Sequence, residues 1–238
     1  IELNTGMNRL GFSKSEVSKL IESLGGLPTQ IKVKSVFSHL VASDKPEHDA
    51  FTHQQLNDFQ DMADQLKVIA PNAIFHISNT GGIDRWEEAE LDMVRLGIGI
   101  YGVGGSENIE SVATLKTSIS QINHVQEGES VGYNRNYIAI ASKKIATISI
   151  GYADGYNRLL GNGKGNVLVN GQLAPVVGDV CMDMTMIDVT GIPCEVGNEV
   201  ILFGSNPRVQ DLAKAMNTIS YEVLSGISQR VKRVYIHE

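Results

Sequence analysis

Ile1-Glu2-Leu3-Asn4-Thr5-Gly6-Met7-Asn8-Arg9-Leu10-Gly11 opens the chain, and the fold turns on how it is read. Ile1–Asn4 is strand-like and stops at Thr5-Gly6. The polar stretch Thr5–Arg9 then lies just past the C-terminal end of that strand. In a parallel barrel this is the face that carries chemistry. An arginine there can hold an anionic oxygen with a forked donor. An ordinary glycine turn is the plain alternative.

The same arrangement recurs down the first half. Lys14–Leu24 has Val17, Leu20, Ile21 and Leu24 at helical spacing behind Ser13 as N-cap. Val33–Leu40 reads as a second strand. His48–Leu66 reads as a long helix with Phe51, Leu56, Phe59 and Ala63 inward. Ala73–Ser78 is a third strand, Asp84–Asp92 a short helix and Val94–Tyr101 a fourth strand. Alternation of this kind gives parallel strands with crossover helices. Four βα units amount to half of a (β/α)8 barrel, which takes about 250 residues when complete. A doubly wound sheet would share the pattern. The polar clusters at Thr5–Arg9, His39, Asn79-Thr80 and Gly97-Ile98 all sit at strand C-termini and favour the barrel.

Past Val112 the texture becomes all-β. Val112–Asn123, Val131–Ala141, Lys144–Ile150, Gly165–Val169, Leu173–Val180, Met184–Val189 and Glu199–Phe203 read as strands divided by Gly, Asn and Pro. Helices at Gln210–Met216 and Ile219–Ile227 precede a last strand at Val231–His237. The fold class is therefore α/β plus β: a partial (β/α)8 TIM barrel holding the last four strands (residues 1–108), then an all-β C-terminal domain (109–238). The boundary is placed near residues 106–112, in Ser106-Glu107-Asn108-Ile109.

Composition narrows the function. The 238 residues are 42% hydrophobic and 20% charged, enough for a real core. The net charge of -7 is spread along the chain, which disfavours a nucleic-acid partner. Cys181 and Cys194 are too few for a disulfide framework or a structural zinc site. No apolar run approaches the roughly 20 residues of a membrane span. A cytoplasmic protein is expected. The chain starts mid-pattern, without Met or a signal peptide, which reads as truncation or as numbering from an internal position.

Three further segments carry candidate chemistry. Gly151-Tyr152-Ala153-Asp154-Gly155-Tyr156 could equally be a packed strand end. Ser78-Asn79-Thr80-Gly81-Gly82 could present N–H donors to a phosphate, or be a common turn. In Val94-Arg95-Leu96-Gly97-Ile98-Gly99-Ile100-Tyr101-Gly102 the arginine must reach either a carboxylate or a ligand, since burying it unpaired is costly.

In order, these segments resemble the alanine racemase family, together with Phe37-Ser38-His39-Leu40, Cys181-Met182-Asp183 and Tyr221-Glu222-Val223-Leu224. Seven collinear motifs span nearly the whole chain. The resemblance implies a pyridoxal 5'-phosphate enzyme that interconverts L- and D-alanine for peptidoglycan, with no metal. It implies a homodimer whose active sites form between subunits. Arg9 would contact the cofactor's phenolic oxygen and His39 would border its ring. Asn79, Thr80, Gly97, Ile98 and Tyr221 would bind its phosphate, with Thr80 where serine is usual. Arg95 would face the ring nitrogen. An arginine there disfavours protonation and weakens the electron sink, which suits racemisation over side reactions.

By the same resemblance Tyr133 would be the catalytic tyrosine, the first base of a two-base pair, with Asn134 where glycine is common. Asn tolerates left-handed backbone. A free tyrosine ionises near pH 10, so a base needs cationic or hydrogen-bonding neighbours. Met182 would offer a backbone donor to the substrate carboxylate, with Asp183 nearby and Tyr152 at the mouth. The family's second base is a lysine that also holds the cofactor covalently. None of Lys14, Lys19, Lys32, Lys34, Lys45, Lys67 or the later lysines matches it. The chain alone is then expected to be inactive. Preference for serine or another small amino acid, and a non-catalytic cofactor- or phosphate-binding or dimerisation fragment, stay open.

Overall fold

Parallel pairing organises the first hundred residues. In the computed structural model, which describes residues 1–28, 30–105 and 109–236, β1 (Ser35–Phe37) pairs with β2 (Ile74–His76) in parallel. The opening segment flanks β1 by a parallel bridge between Glu2 and Phe37, and Leu3 N donates to Phe37 O at 2.7 Å. It forms bridges only, not the strand expected over Ile1–Asn4. Each strand then turns polar at its C-terminal end, at Thr5, Ser38 and Ser78.

Helices cover these strands. α1 (Val17–Gly25) buries Val17 and Leu20. Ser13 closes its leading 3-10 turn, donating through its amide and its hydroxyl to Glu16 at 2.8 and 2.6 Å. α2 (Asp49–Lys67) buries Thr52, Gln55, Phe59, Met62, Ala63 and Leu66. The expected inward face holds at Phe59 and Ala63, but Phe51 is 40% exposed and Leu56 only partly buried. Gln55 takes the inner position because all its polar atoms find partners. Its amide donates to Thr5 Oγ1 and His39 O at 3.2 and 3.1 Å, and its carbonyl accepts from Val41 N at 2.9 Å. A satisfied polar side chain can be buried without penalty.

The helix expected at Asp84–Asp92 starts earlier, as α3 (Thr80–Arg85), followed by a 3-10 turn at Glu87–Ala89. The fourth strand, expected over Val94–Tyr101, does not form. Asp92 N and Arg95 N reach Phe75 O and Ser78 O, but the Asp92 carboxylate accepts from Phe75 N at 2.8 Å. A side chain thus replaces the carbonyl that a ladder would supply. Ile98–Tyr101 then coils into a 3-10 turn.

The remainder is a closed antiparallel barrel. Its strands are β3 (Leu115–Val125), β6 (Lys143–Ile148), β9 (Thr185–Asp188), β8 (Gln172–Val177), β7 (Asn166–Val169) and β10 (Glu199–Phe203), in that order, with β10 paired back onto β3. Alternation aims Val167, Val169, Ala174, Val176, Val200 and Leu202 inward, each fully buried. Closure leaves no open sheet edge. The strand expected over Val131–Ala141 is two short ones, β4 (Ser130–Val131) and β5 (Tyr137–Ile138), split by a 3-10 turn at Tyr133–Arg135. α4 (Val209–Ala215) and α5 (Ser220–Ser225) follow.

No strand forms at residues 231–236, because Arg233 curls the segment by donating to Ile227 O, Ser228 O and Val231 O. His237 lies outside the described residues. The chain divides into Ile1–Ile100 with Gly104–Ile109, and Tyr101–Val103 with Glu110–Glu238. Of the segment expected to hold the boundary, Ser106, Glu107 and Asn108 are outside the described residues. Among those described, no helix is long and apolar enough to cross a membrane.

Candidate active site

In the first unit the strand ends assemble a cationic cluster. Arg95 donates to Ser38 O at 2.6 Å and Ile77 O at 3.1 Å, and meets His76 Nδ1 at 2.9 Å. Its guanidinium lies over the Phe37 ring, which stacks on His76 with an interplanar angle of 4°. The structural alternative expected for Arg95, a carboxylate partner, does not occur among the described residues. Two carbonyls and an imidazole hold it instead. Burial lowers Arg95 from the usual guanidinium range, yet a guanidinium stays charged at neutral pH.

His39 lies beside this group. Its pKa is pushed down by burial first, then by the charges of Arg95 and Arg9. His76 is pushed down by burial and by Arg95. Arg9 itself is exposed.

Thr80 and Gly97 come together, with the Gly97 amide already engaged. Thr80 Oγ1 accepts from Gly97 N and Gly99 N at 3.1 and 3.3 Å. Asn79 behaves differently. Its carbonyl accepts from Gly82 N and from Ser43 Oγ, and its amide donates to Leu40 O. It is the N-cap of α3, so its side chain serves the fold.

In the second unit an open cleft of about 440 Å³ is lined by Tyr133, Asn134, Tyr152, Arg158, Val180, Cys181, Met182 and Asp183. Four residues singled out from sequence, Tyr133, Tyr152, Met182 and Asp183, thus share one wall system. Tyr133 is 69% exposed. Its turn is left-handed: Gly132, Asn134 and Arg135 have φ of 77°, 57° and 54°. Side chains with Cβ adopt this region at a cost, and it clusters at functional sites.

Tyr152 N and Ala153 N donate to Cys181 O and Met182 O, which docks the Gly151–Tyr156 segment against Cys181-Met182-Asp183. A Cβ on Gly151 would come within 2.3 Å of Cys181 O, so only glycine fits there. Arg230 spans Asp154 and Asp183 at 2.7 and 2.5 Å. Tyr221 stands in the first turn of α5, half-exposed.

Sequence reading missed several residues. His76 and Gln55 sit in strand and helix patterns that do not mark them. Arg158, Arg230 and Asp179 also escaped notice, since isolated charges in loops carry no motif. Among the described residues, no cluster of three His, Cys, Asp or Glu side chains could hold a metal.

Residues 1–104 match the family model "Alanine racemase, N-terminal domain", and residues 112–235 match "Alanine racemase, C-terminal domain". Alanine racemase 2 of Caldanaerobacter subterraneus subsp. tengcongensis is 41% identical, covering 100% of this chain and 64% of its own length. An alanine racemase of Clostridium novyi is 40% identical over 99% of the chain and 64% of its own length. The chain therefore spans about two thirds of these relatives.

Among solved structures, the alanine racemase from D-cycloserine producing Streptomyces lavendulae superposes with a TM-score of 0.91 at 29% identity, over 100% of this chain and 66% of the other. That of Bartonella henselae, with covalently bound pyridoxal phosphate, gives 0.89 at 32% identity over 99% and 66%. The fold is that of an N-terminal barrel domain joined to a C-terminal β-domain. Two domain matches that together take in almost every residue establish that the chain belongs to the alanine racemase family.

Proposed function

We propose that this chain is the greater part of an alanine racemase that works with pyridoxal 5'-phosphate. The observation that carries the reading is the convergence of Tyr133, Tyr152, Met182 and Asp183 on one cleft. On this reading the parallel units of the first domain are the last part of the barrel, within 1–108, and 109–238 is the β-domain.

The residues present fit the cofactor. A half-buried guanidinium without an acidic partner among the described residues, with Arg9 nearby, suits an anionic ring and phosphate. The cofactor supplies an electron sink at the substrate's α-carbon. Arg95 would meet its ring nitrogen as a fixed cation, Arg9 its phenolic oxygen, and His39, kept neutral by its surroundings, would border the ring. The Thr80 hydroxyl, the backbone of Gly97 and Ile98, and Tyr221 would hold the phosphate. Asn79 contributes by shaping that loop.

Tyr133 would take or return the proton at the α-carbon on one face, and a lysine would do so on the other. The exposed turn leaves its hydroxyl free to approach. The Met182 amide would hold the substrate carboxylate, and Tyr152 the mouth. The active site would form between two copies in a homodimer. The product would be D-alanine for peptidoglycan, made in the cytoplasm. All six lysines of the first unit are exposed on helices and loops, so the 238-residue chain by itself would not racemise.

The test uses the polypeptide as its gene encodes it, with added pyridoxal phosphate. L-alanine should racemise, borohydride should fix the cofactor to a lysine, and Tyr133→Phe should lower kcat by about 10²–10⁴-fold with the melting temperature kept. A faster rate on serine would move the substrate assignment. Absence of turnover and of any fixed cofactor would leave only a binding role. Racemisation by the isolated 238-residue chain would show that a lysine within it serves as base.

A further inference from the structure

The Tyr133 turn has few ties of its own, among them Arg135 Nε donating to the exposed Ser130 Oγ at 3.2 Å. Gly132, Asn134 and Arg135 all lie at positive φ. Inside the turn the backbone has the Asn136 N to Tyr133 O bond at 3.3 Å. The flanking strands β4 and β5 pair over two residues each. A left-handed turn carrying Asn and Arg needs an outside anchor to stay in place.

Asp179 supplies one. It follows β8 in the Gly178–Asp183 loop and is 7% exposed. Its Oδ2 accepts from Asn136 Nδ2 at 2.9 Å, at the foot of the turn, and from Arg158 Nη2 at 3.2 Å. Its Oδ1 accepts from Asn162 Nδ2 at 2.9 Å. Gly178 lets the two loops close up: a Cβ there would come within 2.9 Å of Val131 O. One buried carboxylate thereby ties the Tyr133 turn to Arg158 across the same cleft. The amide donors keep that carboxyl ionised, below the usual carboxylate range.

We propose that Asp179 is a positioning residue for Tyr133, fixing the turn through Asn136 so that the phenol stays aimed into the cleft. The proposal rests on the racemase reading for its kinetic consequence only. A positional error of about 1 Å at a reacting group can cost about 10²-fold in rate.

The test compares Asn136→Ala, Asp179→Asn and Asn162→Ala in the gene-encoded polypeptide with pyridoxal phosphate. Asn136→Ala removes the turn-side partner and leaves the carboxylate with Arg158 and Asn162. It should lower kcat about tenfold with KM for alanine within about twofold, and speed amide exchange at residues 134–136 more than elsewhere, beside the modest fall in melting temperature that loss of one hydrogen bond to a charged group brings. Asp179→Asn should reproduce both effects more strongly. Asn162→Ala should leave kcat unchanged. Asn136→Ala with wild-type kcat, or with reduced kcat and unchanged exchange at the turn, would overturn the proposal. If the wild type fails to racemise, the racemase reading falls; the exchange comparison alone then decides whether Asp179 holds the turn.

Discussion

The guanidinium of Arg95 meets Nδ1 of His76 at 2.9 Å while donating to the carbonyls of Ser38 and Ile77. One side chain from the segment after the parallel strands thus binds the ends of β1 and β2 together. It does so with a cation that a carboxylate would have neutralised, and that leaves a positive site at the ends of the two parallel strands.

Replacing that fork tests its structural share. Arg95→Lys keeps the charge but offers a point donor that cannot reach three acceptors at once. Hydrogen bonds to charged groups contribute about 1.5–3 kcal/mol each. The variant should lose about 2 kcal/mol, seen as a lower urea midpoint at unchanged slope. An unchanged midpoint would mean that the neighbours re-pair without it.

The two histidines should make stability depend on pH. Both His39 and His76 are lowered from 6.5 by burial and by Arg95. The unfolded chain therefore binds protons more readily just below pH 6.5. Their contribution is fully present above that pH and is lost as pH falls through the folded-state values. Histidine ring resonances should titrate below 6.5, and His76→Gln should flatten the pH dependence of unfolding. A midpoint above 6.5 for either ring would contradict the assignment.

Tyr156 gives a different expectation. The second tyrosine of the Gly151–Tyr156 segment is 1% exposed, and its hydroxyl has no hydrogen-bond partner among the described residues. Burial raises its pKa far above that of a free phenol. A buried unpaired hydroxyl is unfavourable by about 1–3 kcal/mol. Tyr156→Phe should leave stability unchanged or raise it by about 1 kcal/mol, without effect on catalysis. A marked loss in thermal melting would reveal a partner for the hydroxyl.

Asn79 and Thr80 should separate into fold and cofactor. Asn79→Ala removes the cap of α3 and a tie to Leu40 O, and should cost about 1–2 kcal/mol with or without pyridoxal phosphate. Thr80→Val should mainly loosen the cofactor, read as a raised dissociation constant in an absorbance titration. Equal effects of both substitutions on cofactor affinity would place Asn79 at the phosphate after all.

How much of this was legible differs by element. Long periodic segments such as α2 and the barrel strands β3, β7 and β10 announced themselves, because a repeat of 3.6 or 2 survives almost any packing. The stretch from Val94 to Tyr101 looked equally strand-like, yet the Asp92 carboxylate took the N–H of Phe75 on the neighbouring strand, and the amides of Gly97 and Gly99 turned to Thr80 Oγ1. Tyr133 was found through its matching motif, while Asp179, which holds Asn136, sits in a loop with no pattern of its own.

Tyr133 stood out only through the family resemblance; the residues alone determined that two textures follow one another, that polar clusters would fall at strand ends, and that Arg95 needs a partner. These follow from local periodicity and from chemistry written into contiguous segments. Only the tertiary structure decided that Arg95 is held by carbonyls and an imidazole, that Asn79 is a cap, and that Asp179 anchors the tyrosine turn. Arg95 with Ser38 and Asp179 with Asn136 join groups tens of residues apart in the chain, and even the local Asn79 cap is completed by Leu40 and Ser43 from afar; that geometry exists only once the backbone between them has folded.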